Sequence, residues 1–556
     1  MDLLQKKRFS FISKGLGENL FNVVRFSGTE GLSQCYRFEI ELVSTEFEVD
    51  LGRALQNPAV FTIHRPDGDV PFNGILAEFE QAQAFDDYAF YRAVLVPRFW
   101  WLQLTHHNQV FLDLAIPGIL EAVLKDGGLA ASDFELRLKG DYPKWEYVCQ
   151  YRESHFAFVS RWMEREGIYY FFEQTPAGEK LILTDTNIAH TAMPEGRTFI
   201  YSPPSGLDAA QAEEVLRELR CRQTMLPSKV LVKDYNYRTP SLEISGQAPV
   251  LAHGRGEVYL YGEHFRTPEE GEALAQVRAQ ELLCREKVFI GHGTVPYIRP
   301  GYVFDLAGHY RSDFNQTYLT TAVTHVGNQT AYLISGLKNV LSEVEKEPYY
   351  RNEFTTIPSQ VQFRPPRATE KARFHGTMNA RIDASETGQY AELDHEGRYK
   401  VVLPFDLSGR RDGRASAWVR MMQPYAGSDH GMHFPLHKGA EVLLTFIDGD
   451  PDRPIIAGAV PNPDHPSQVN NDTQSMCKIT TGGRNKIHLE DLAGSERMLF
   501  HTPKGNTVFT MGASGGDSGG SESGSGDSEG GGSGGSGEDS GDLEKKVEDL
   551  EKWKEK

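Results

Sequence analysis

Cysteine is scarce in this chain: five in 556 residues, at Cys35, Cys149, Cys221, Cys284 and Cys477, with no C-x-x-C spacing. An odd, scattered set gives neither a disulfide framework nor the ligand spacing of a zinc site. Long hydrophobic runs are missing as well. No stretch approaches the ~20 apolar residues that span a bilayer. The opening residues, Met1-Asp2-Leu3-Leu4-Gln5-Lys6-Lys7-Arg8, lack the apolar centre of a secretory signal peptide. Basic charge is in deficit, with a formal net charge of -19. That argues against a nucleic-acid partner, which needs clustered Lys and Arg, and against adsorption to anionic head groups. The expectation is a chain that assembles in the cytoplasm and leaves the cell, if at all, without a signal peptide.

What is present is β-rich. Over 1–365 the pattern is mixed α+β and mainly β, with alternation such as Arg37-Phe38-Glu39-Ile40-Glu41-Leu42 and turns such as Pro66-Asp67-Gly68-Asp69. Three helices interrupt it. One runs from Ile116 to Lys125, with Gly127 placed to stop it in the left-handed conformation. One is capped by Ser154, carries Phe156, Val159 and Met163 on one face and ends near Gly167. The third spans roughly Glu269 to Lys287, with Leu274, Val277 and Leu282 inward.

The Pro365-Pro366 pair then marks an extended junction. Short strands follow over 366–470, among them Lys400–Leu403, Ala417–Arg420 and Glu441–Phe446, between Gly- and Pro-bearing turns, as in a small barrel of the OB type. From Met476 to Met511 alternating strands are too few to build a core in one chain, which points to stacking against further copies. Residues 513–541 are a Gly/Ser/acidic linker, expected to be disordered, and 542–556 a short terminal helix with Leu543, Val547 and Leu550 on a coiled-coil seam.

Several constellations look like chemistry and read better as structure. Gly516-Asp517-Ser518-Gly519-Gly520 and Gly526-Asp527-Ser528-Glu529-Gly530 imitate nucleophile motifs, but they lie in low-complexity sequence with no strand or helix to build an elbow. His430, His433 and His437 have spacings that alternate between strand faces, and His106-His107 reads as packing or surface. Asp448-Gly449-Asp450-Pro451-Asp452-Arg453-Pro454 reads as a rigid turn with its carboxylates in reach of Arg453, since the ligand spacing of a calcium loop is missing. No catalytic, cofactor-binding or metal residue is assigned. Nor is there an unassigned region large enough to hold the paired carboxylates of a cell-wall hydrolase in a cleft.

Ordered segments carry a family resemblance. Tyr151-Arg152-Glu153-Ser154-His155-Phe156-Ala157-Phe158-Val159-Ser160-Arg161, running into Glu166-Gly167-Ile168-Tyr169-Tyr170, is followed by Pro300-Gly301 with Thr324-His325. Then come Gln362-Phe363-Arg364-Pro365-Pro366-Arg367, Gly397-Arg398-Tyr399-Lys400-Val401, Trp418 to Gly427, and Asp448 to Gly458. Together they resemble the VgrG family of type VI secretion spikes and their phage-tail relatives.

The resemblance implies a hub of two barrel-like subdomains (1–365), an OB domain (366–470) and an intertwined trimeric β-helix needle (471–512). On that reading Ile487, Leu489, Phe500, Val508 and Phe509 form the needle core of a homotrimer, and Phe509, Thr510 and Met511 meet a PAAR-like tip protein. The other partners implied are an Hcp-like inner-tube protein, baseplate proteins and effector cargo, with the target membrane pierced mechanically and no enzymatic activity. Two alternatives stay open: the spike of an extracellular phage-tail-like particle, and a peptidoglycan-degrading spike.

Overall fold

The computed structural model describes residues 8–85, 87–203, 214–330, 349–385 and 388–512. The linker and terminal helix expected over 513–556, with the serine strings around Ser518 and Ser528, lie outside the described residues. Two compact units divide the chain, Met1–Val460 and Pro461–Lys556.

The first unit is built on a 12-stranded sheet. Its path runs Phe9–Ser13, Ala59–Ile63, Val70–Phe85, Tyr88–Val96, Gln34–Ser44, Asn22–Gly31, Thr317–Asn328, Tyr349–Pro358, Lys287–Gly293 and Leu216–Gln223, with Thr198–Ile200 and Val303–Ala307 attached at the side. Early and late strands meet where Arg25–Gly31 pairs antiparallel with Ala322–Asn328. Alternation explains the burial: in Gln34–Ser44, Tyr36, Phe38, Ile40 and Leu42 are fully buried while the arginine and glutamates between them stay partly exposed. Phe38 packs at 4.4 Å from Phe72 and 5.7 Å from His325, so one aromatic core serves both groups of strands. His325 is satisfied inside it by Tyr350 Oη at 2.8 Å and Glu30 Oε1 at 3.1 Å.

The helices lie close to their expected places, with corrections at the ends. Ile116–Asp126 stops at Gly127, which has φ −73; the left-handed residue is Gly128, at φ +92. His155–Glu166 begins at Ser154, whose Oγ accepts from Ala157 N at 3.0 Å, and ends at Gly167 with φ 74. It buries Phe158, Val159, Trp162 and Met163, while Phe156 is only half-buried. The third helix is Pro268–Leu283, capped by Thr267. It ends before Lys287 because Lys287–Gly293 is a strand. Its buried stripe centres on Gly271, Leu274, Ala275, Arg278 and Ala279, with Val277 and Leu282 at the margin.

Beyond the junction, a five-stranded sheet runs Lys400–Val402, Met378–Asp383, Glu441–Phe446, Pro454–Ala459 and Arg420–Met421. Val460 N still donates to Glu441 O at 2.9 Å, which closes this unit. In the second unit, Met476–Thr480, Lys486–Glu490, Arg497–Thr502 and Thr507–Gly512 form a four-stranded antiparallel meander.

Candidate functional site

Two places organise the molecule. The first is the joint between the hub strands and the barrel. Hub residues Val110, Tyr147, Cys149 and Tyr151 share one buried cluster with Ala380, Ile382, Tyr399, Val401, Val442, Leu444 and Ile456 of the barrel. A continuous core of that kind makes hub and barrel one mechanical body.

Polar contacts fix its register. Asp452 Oδ1 accepts from Cys149 N at 2.6 Å. Arg161, also buried, meets both oxygens of Glu153 at 2.8 and 2.7 Å and donates to Cys149 O at 3.0 Å. Such a forked, desolvated pair is costly to break because the surviving charge is stranded.

The turn carrying Asp452 owes its shape to two left-handed residues, Asp448 at φ 54 and Gly449 at φ 67. Arg453 reaches the turn as expected, though at long range: its Nη1 lies 3.8 Å from Asp448 Oδ2, and it is shared with Asp234 Oδ1 at 3.7 Å. The closer cation is Lys371, whose Nζ is 2.6 Å from both Asp450 Oδ1 and Asp452 Oδ2. This ammonium lies 81 residues upstream of Asp452 on a segment with no repeating pattern, so spacing gave no signal for it.

His264, Asp450 and Asp452 bring one ligand atom each to within 4.8 Å of one another, a donor set a divalent cation accepts in kind. Lys371 supplies the positive charge there. Burial holds His264 neutral, down to about 3, with Asp450 opposing and Lys371, Arg453 and Arg165 reinforcing. Asp450 is itself held well below the usual carboxylate range: burial alone would raise it, and Lys371 and His264 outweigh that.

The junction peptide is pinned to the hub. Arg364 donates to Gly167 O and Asp185 O, both at 2.7 Å, and to Gln280 Oε1 at 2.8 Å. Phe363 packs edge-on against Tyr169 at 5.1 Å. Glu164 accepts from the backbone of Ala368 and Thr369 at 3.0 and 2.9 Å. The family-like segments flanking Gly167 and Arg364 are thus parts of one attachment.

The histidines that invite a metal reading are engaged elsewhere. His433 Nε2 lies 3.3 Å from Tyr399 Oη, His437 packs on Tyr390 at 4.7 Å and His430 on Tyr425 at 4.8 Å. His107 lies against His155, with 5.9 Å between ring centroids, and His106 is exposed.

The second place is the meander. Its register forms two ladders across one face: Cys477, Leu489, Met498 and Met511 in one, Ile479, Ile487, Phe500 and Phe509 in the other. Every rung is apolar, as the period-2 alternation requires. Most are left uncovered: Phe509 is 56%, Met511 46%, Ile479 41%, Phe500 40%, Met498 38% and Ile487 37% exposed. Leu489 is half-buried. The other face carries Lys478, His488, Leu499 and Thr510 in one ladder and Thr480, Lys486, His501 and Val508 in the next.

Val508 therefore departs from the expected core set. It adjoins Phe509 in a strand, so the two side chains point to opposite faces. For the same reason Thr510 is separated from Phe509 and Met511. Met498, Ile479 and Cys477 belong to the apolar face and were missed; cross-strand register, not local alternation, brings them there.

A hub sheet fused to an OB-type barrel, followed by a thin meander with a bare apolar face, defines the spike-and-hub class of tail-baseplate proteins. Family models match in the same order: phage tail baseplate hub (GPD) over residues 29–331, and type VI secretion system/phage-baseplate injector OB domain over 391–460. The type VI secretion system spike protein VgrG1b of Pseudomonas aeruginosa is 30% identical over 523 residues, covering 91% of this chain and 69% of that protein. VgrG4b of the same organism is 30% identical over 512 residues, covering 89% and 62%. The chain belongs to the VgrG spike family.

It spans only part of these longer relatives, and 46% of the actin cross-linking toxin VgrG1 of Vibrio cholerae, to which it is 27% identical over 517 residues. Among solved structures, an Escherichia coli type VI secretion component with similarity to T4 tail proteins gp27 and gp5 superposes with TM-score 0.59 at 22% identity, covering 81% of this chain and 100% of that one. The Francisella PdpA–VgrG complex, half-lidded, gives TM-score 0.62 at 9% identity, covering 91% and 86%. These two likenesses speak for the fold. Among the described residues no helix is long and apolar enough to cross a membrane.

Proposed function

We propose that this chain is the spike of a type VI secretion apparatus and works as a homotrimer by transmitting force. The observation that carries the reading is the pair of apolar ladders on the meander. Among the described residues nothing covers that face of the four-stranded sheet, and three copies with their ladders turned inward bury it for one another. Covering a half-exposed Ile, Met or Phe side chain is worth about 1 kcal/mol, so six of them contribute about 6 kcal/mol per chain.

Ile487, Leu489, Phe500 and Phe509 then line the needle axis, with Ile479, Met498 and Met511 added, and Val508 faces solvent. The outer strand Thr507–Gly512, which carries Phe509, Thr510 and Met511, presents an unpaired edge to a PAAR-like tip protein. The hub seats on an Hcp-like inner tube within the baseplate, and the welded hub–barrel joint carries axial load into the needle. Effector cargo travels with the assembly. The work is mechanical, and no bond chemistry is assigned to the chain.

The type VI names of its relatives favour this over a free phage-tail-like particle. The test is secretion from cells whose own copy carries Phe500→Asp together with Phe509→Asp. Tube protein should disappear from the medium while the hub still accumulates folded. Wild-type secretion by a variant that no longer trimerises would sink the proposal.

A further inference from the structure

Charge on the meander is sorted by strand end. At one end, the turns Thr481–Asn485 and Pro503–Asn506 with their flanking residues carry Arg484, Lys486 and Lys504, and residues 480–486 and 501–507 hold no Asp or Glu. At the other end, the turn joining Lys486–Glu490 to Arg497–Thr502 carries Glu490, Asp491 and Glu496, with Arg497 opposite Glu490. None of the six residues Arg484, Lys486, Lys504, Glu490, Asp491 and Glu496 forms an ion pair among the described residues. Glu490 is held by hydrogen bonds from Ser475 and from Leu492 N, the latter at 3.0 Å, with Arg497 as its nearby cation, and Glu496 accepts from Gly494 N at 2.9 Å.

The two ends cannot neutralise each other within a chain. Four residue steps of extended strand separate them by roughly 13 Å, beyond the ~8 Å over which exposed charges act at physiological salt. A sheet this small thus holds two unbalanced edges of opposite sign.

We infer that these edges are the lateral contacts between copies, the basic end of one chain seated against the acidic end of the next around a closed ring. The inference rests on the trimeric reading above and adds what that reading leaves open, which is how neighbouring faces choose direction and height. The occupant of each edge is a second copy of this chain, because the complement it needs is the opposite end of the same sheet. Apolar ladders are indifferent to polarity: Ile, Leu, Met and Phe pack as well against a neighbour displaced by one strand. Three positive groups meeting three carboxylates penalise such slips through like-charge contact, and head-to-tail contacts of this kind close into rings when the rotation permits.

Three charge-reversed forms of the full chain test this against wild type by native mass spectrometry. The first carries Arg484→Glu, Lys486→Glu and Lys504→Glu; the second Glu490→Lys, Asp491→Lys and Glu496→Lys; the third all six. In the first two, like charges meet at every lateral contact. Their trimers should dissociate at protein concentrations at least about tenfold above wild type and recover in high salt. The sixfold form restores complementarity and should form homotrimers like wild type. Because it carries every substitution of the other two, its assembly shows that they fail by charge and not by misfolding.

Co-expressed wild type and sixfold form should sort into pure homotrimers, where random association gives about three-quarters mixed species. Random mixing, or threefold variants that trimerise as wild type does, overturns the inference while leaving the trimer standing. A monomeric wild type overturns the trimeric reading itself and the lateral contacts with it. A sixfold form that fails to assemble while wild type succeeds also counts against it.

Discussion

Replacing Asp452 by alanine removes two contacts from the hub–barrel joint at once: the 2.6 Å bond from Cys149 N and the 2.6 Å approach of Lys371. A hydrogen bond to a charged group is worth about 1.5–3 kcal/mol, and removing one partner of a buried pair costs about 3–5 kcal/mol. Lys371 has a side chain 26% exposed and retains Asp450, so it relaxes toward solvent and the pair contributes toward its low end. The Cys149 N–H has no such escape, because Cys149 is 2% exposed.

The expected loss is about 3–4 kcal/mol, localised to the joint. Asp452→Asn keeps an acceptor for Cys149 N and should lose about half as much. Hydrogen exchange under native conditions reads this directly. Amides of Val148–Ser154 and of Glu441–Phe446 should lose protection together in Asp452→Ala, while the strand Gln34–Ser44 keeps its own. A variant within about 0.5 kcal/mol of wild type at both segments, or one in which hub and barrel amides respond separately, refutes the single-body joint.

Further outcomes follow from the same geometry. Phe509→Asp should abolish trimers while Val508→Asp leaves them intact, although the residues are adjacent; equal sensitivity by sedimentation would contradict the face assignment. Gly167→Ala puts a methyl group 2.6 Å from Val277 Cγ1 and 3.0 Å from Arg364 Cδ at φ +74, and should cost about 2–4 kcal/mol in denaturant unfolding.

Acid should act early on the joint through His264. Its folded-state value of about 3 lies below the ordinary 6.5, so the unfolded chain takes up the proton first. The stabilisation is complete above pH 6.5 and drains away as pH falls toward 3, at up to about 1.4 kcal/mol per pH unit. His264→Asn should flatten that arm between pH 6.5 and 4, and an unchanged slope would exclude the histidine as its source.

Much of this architecture was legible in the letters because burial and periodicity are local. Ser154 and Gly167 mark their helix from both ends, and Lys486-Ile487-His488-Leu489-Glu490 announces a strand with one apolar face. What stayed hidden depends on partners distant in sequence. Lys371 reaches the turn at Asp450 and Asp452 only after the barrel closes, and the Asp452 bond to Cys149 spans 303 residues. Gly127 looked like a left-handed stop, yet the helix ran on to leave that conformation to Gly128, a one-residue choice that composition does not make. Val508 and Phe509 are both apolar, and alternation alone leaves open which of them faces inward; the pairing of Phe509 with Phe500 decides it.

Sedimentation equilibrium of the intact chain weighs the bare ladders most directly. Three copies of a 62.3 kDa polypeptide give a particle of about 187 kDa, and trimming everything after residue 475 should return it toward single chains. A stable 62.3 kDa species with Ile487, Phe500 and Phe509 shielded by residues of their own polypeptide would contradict the account.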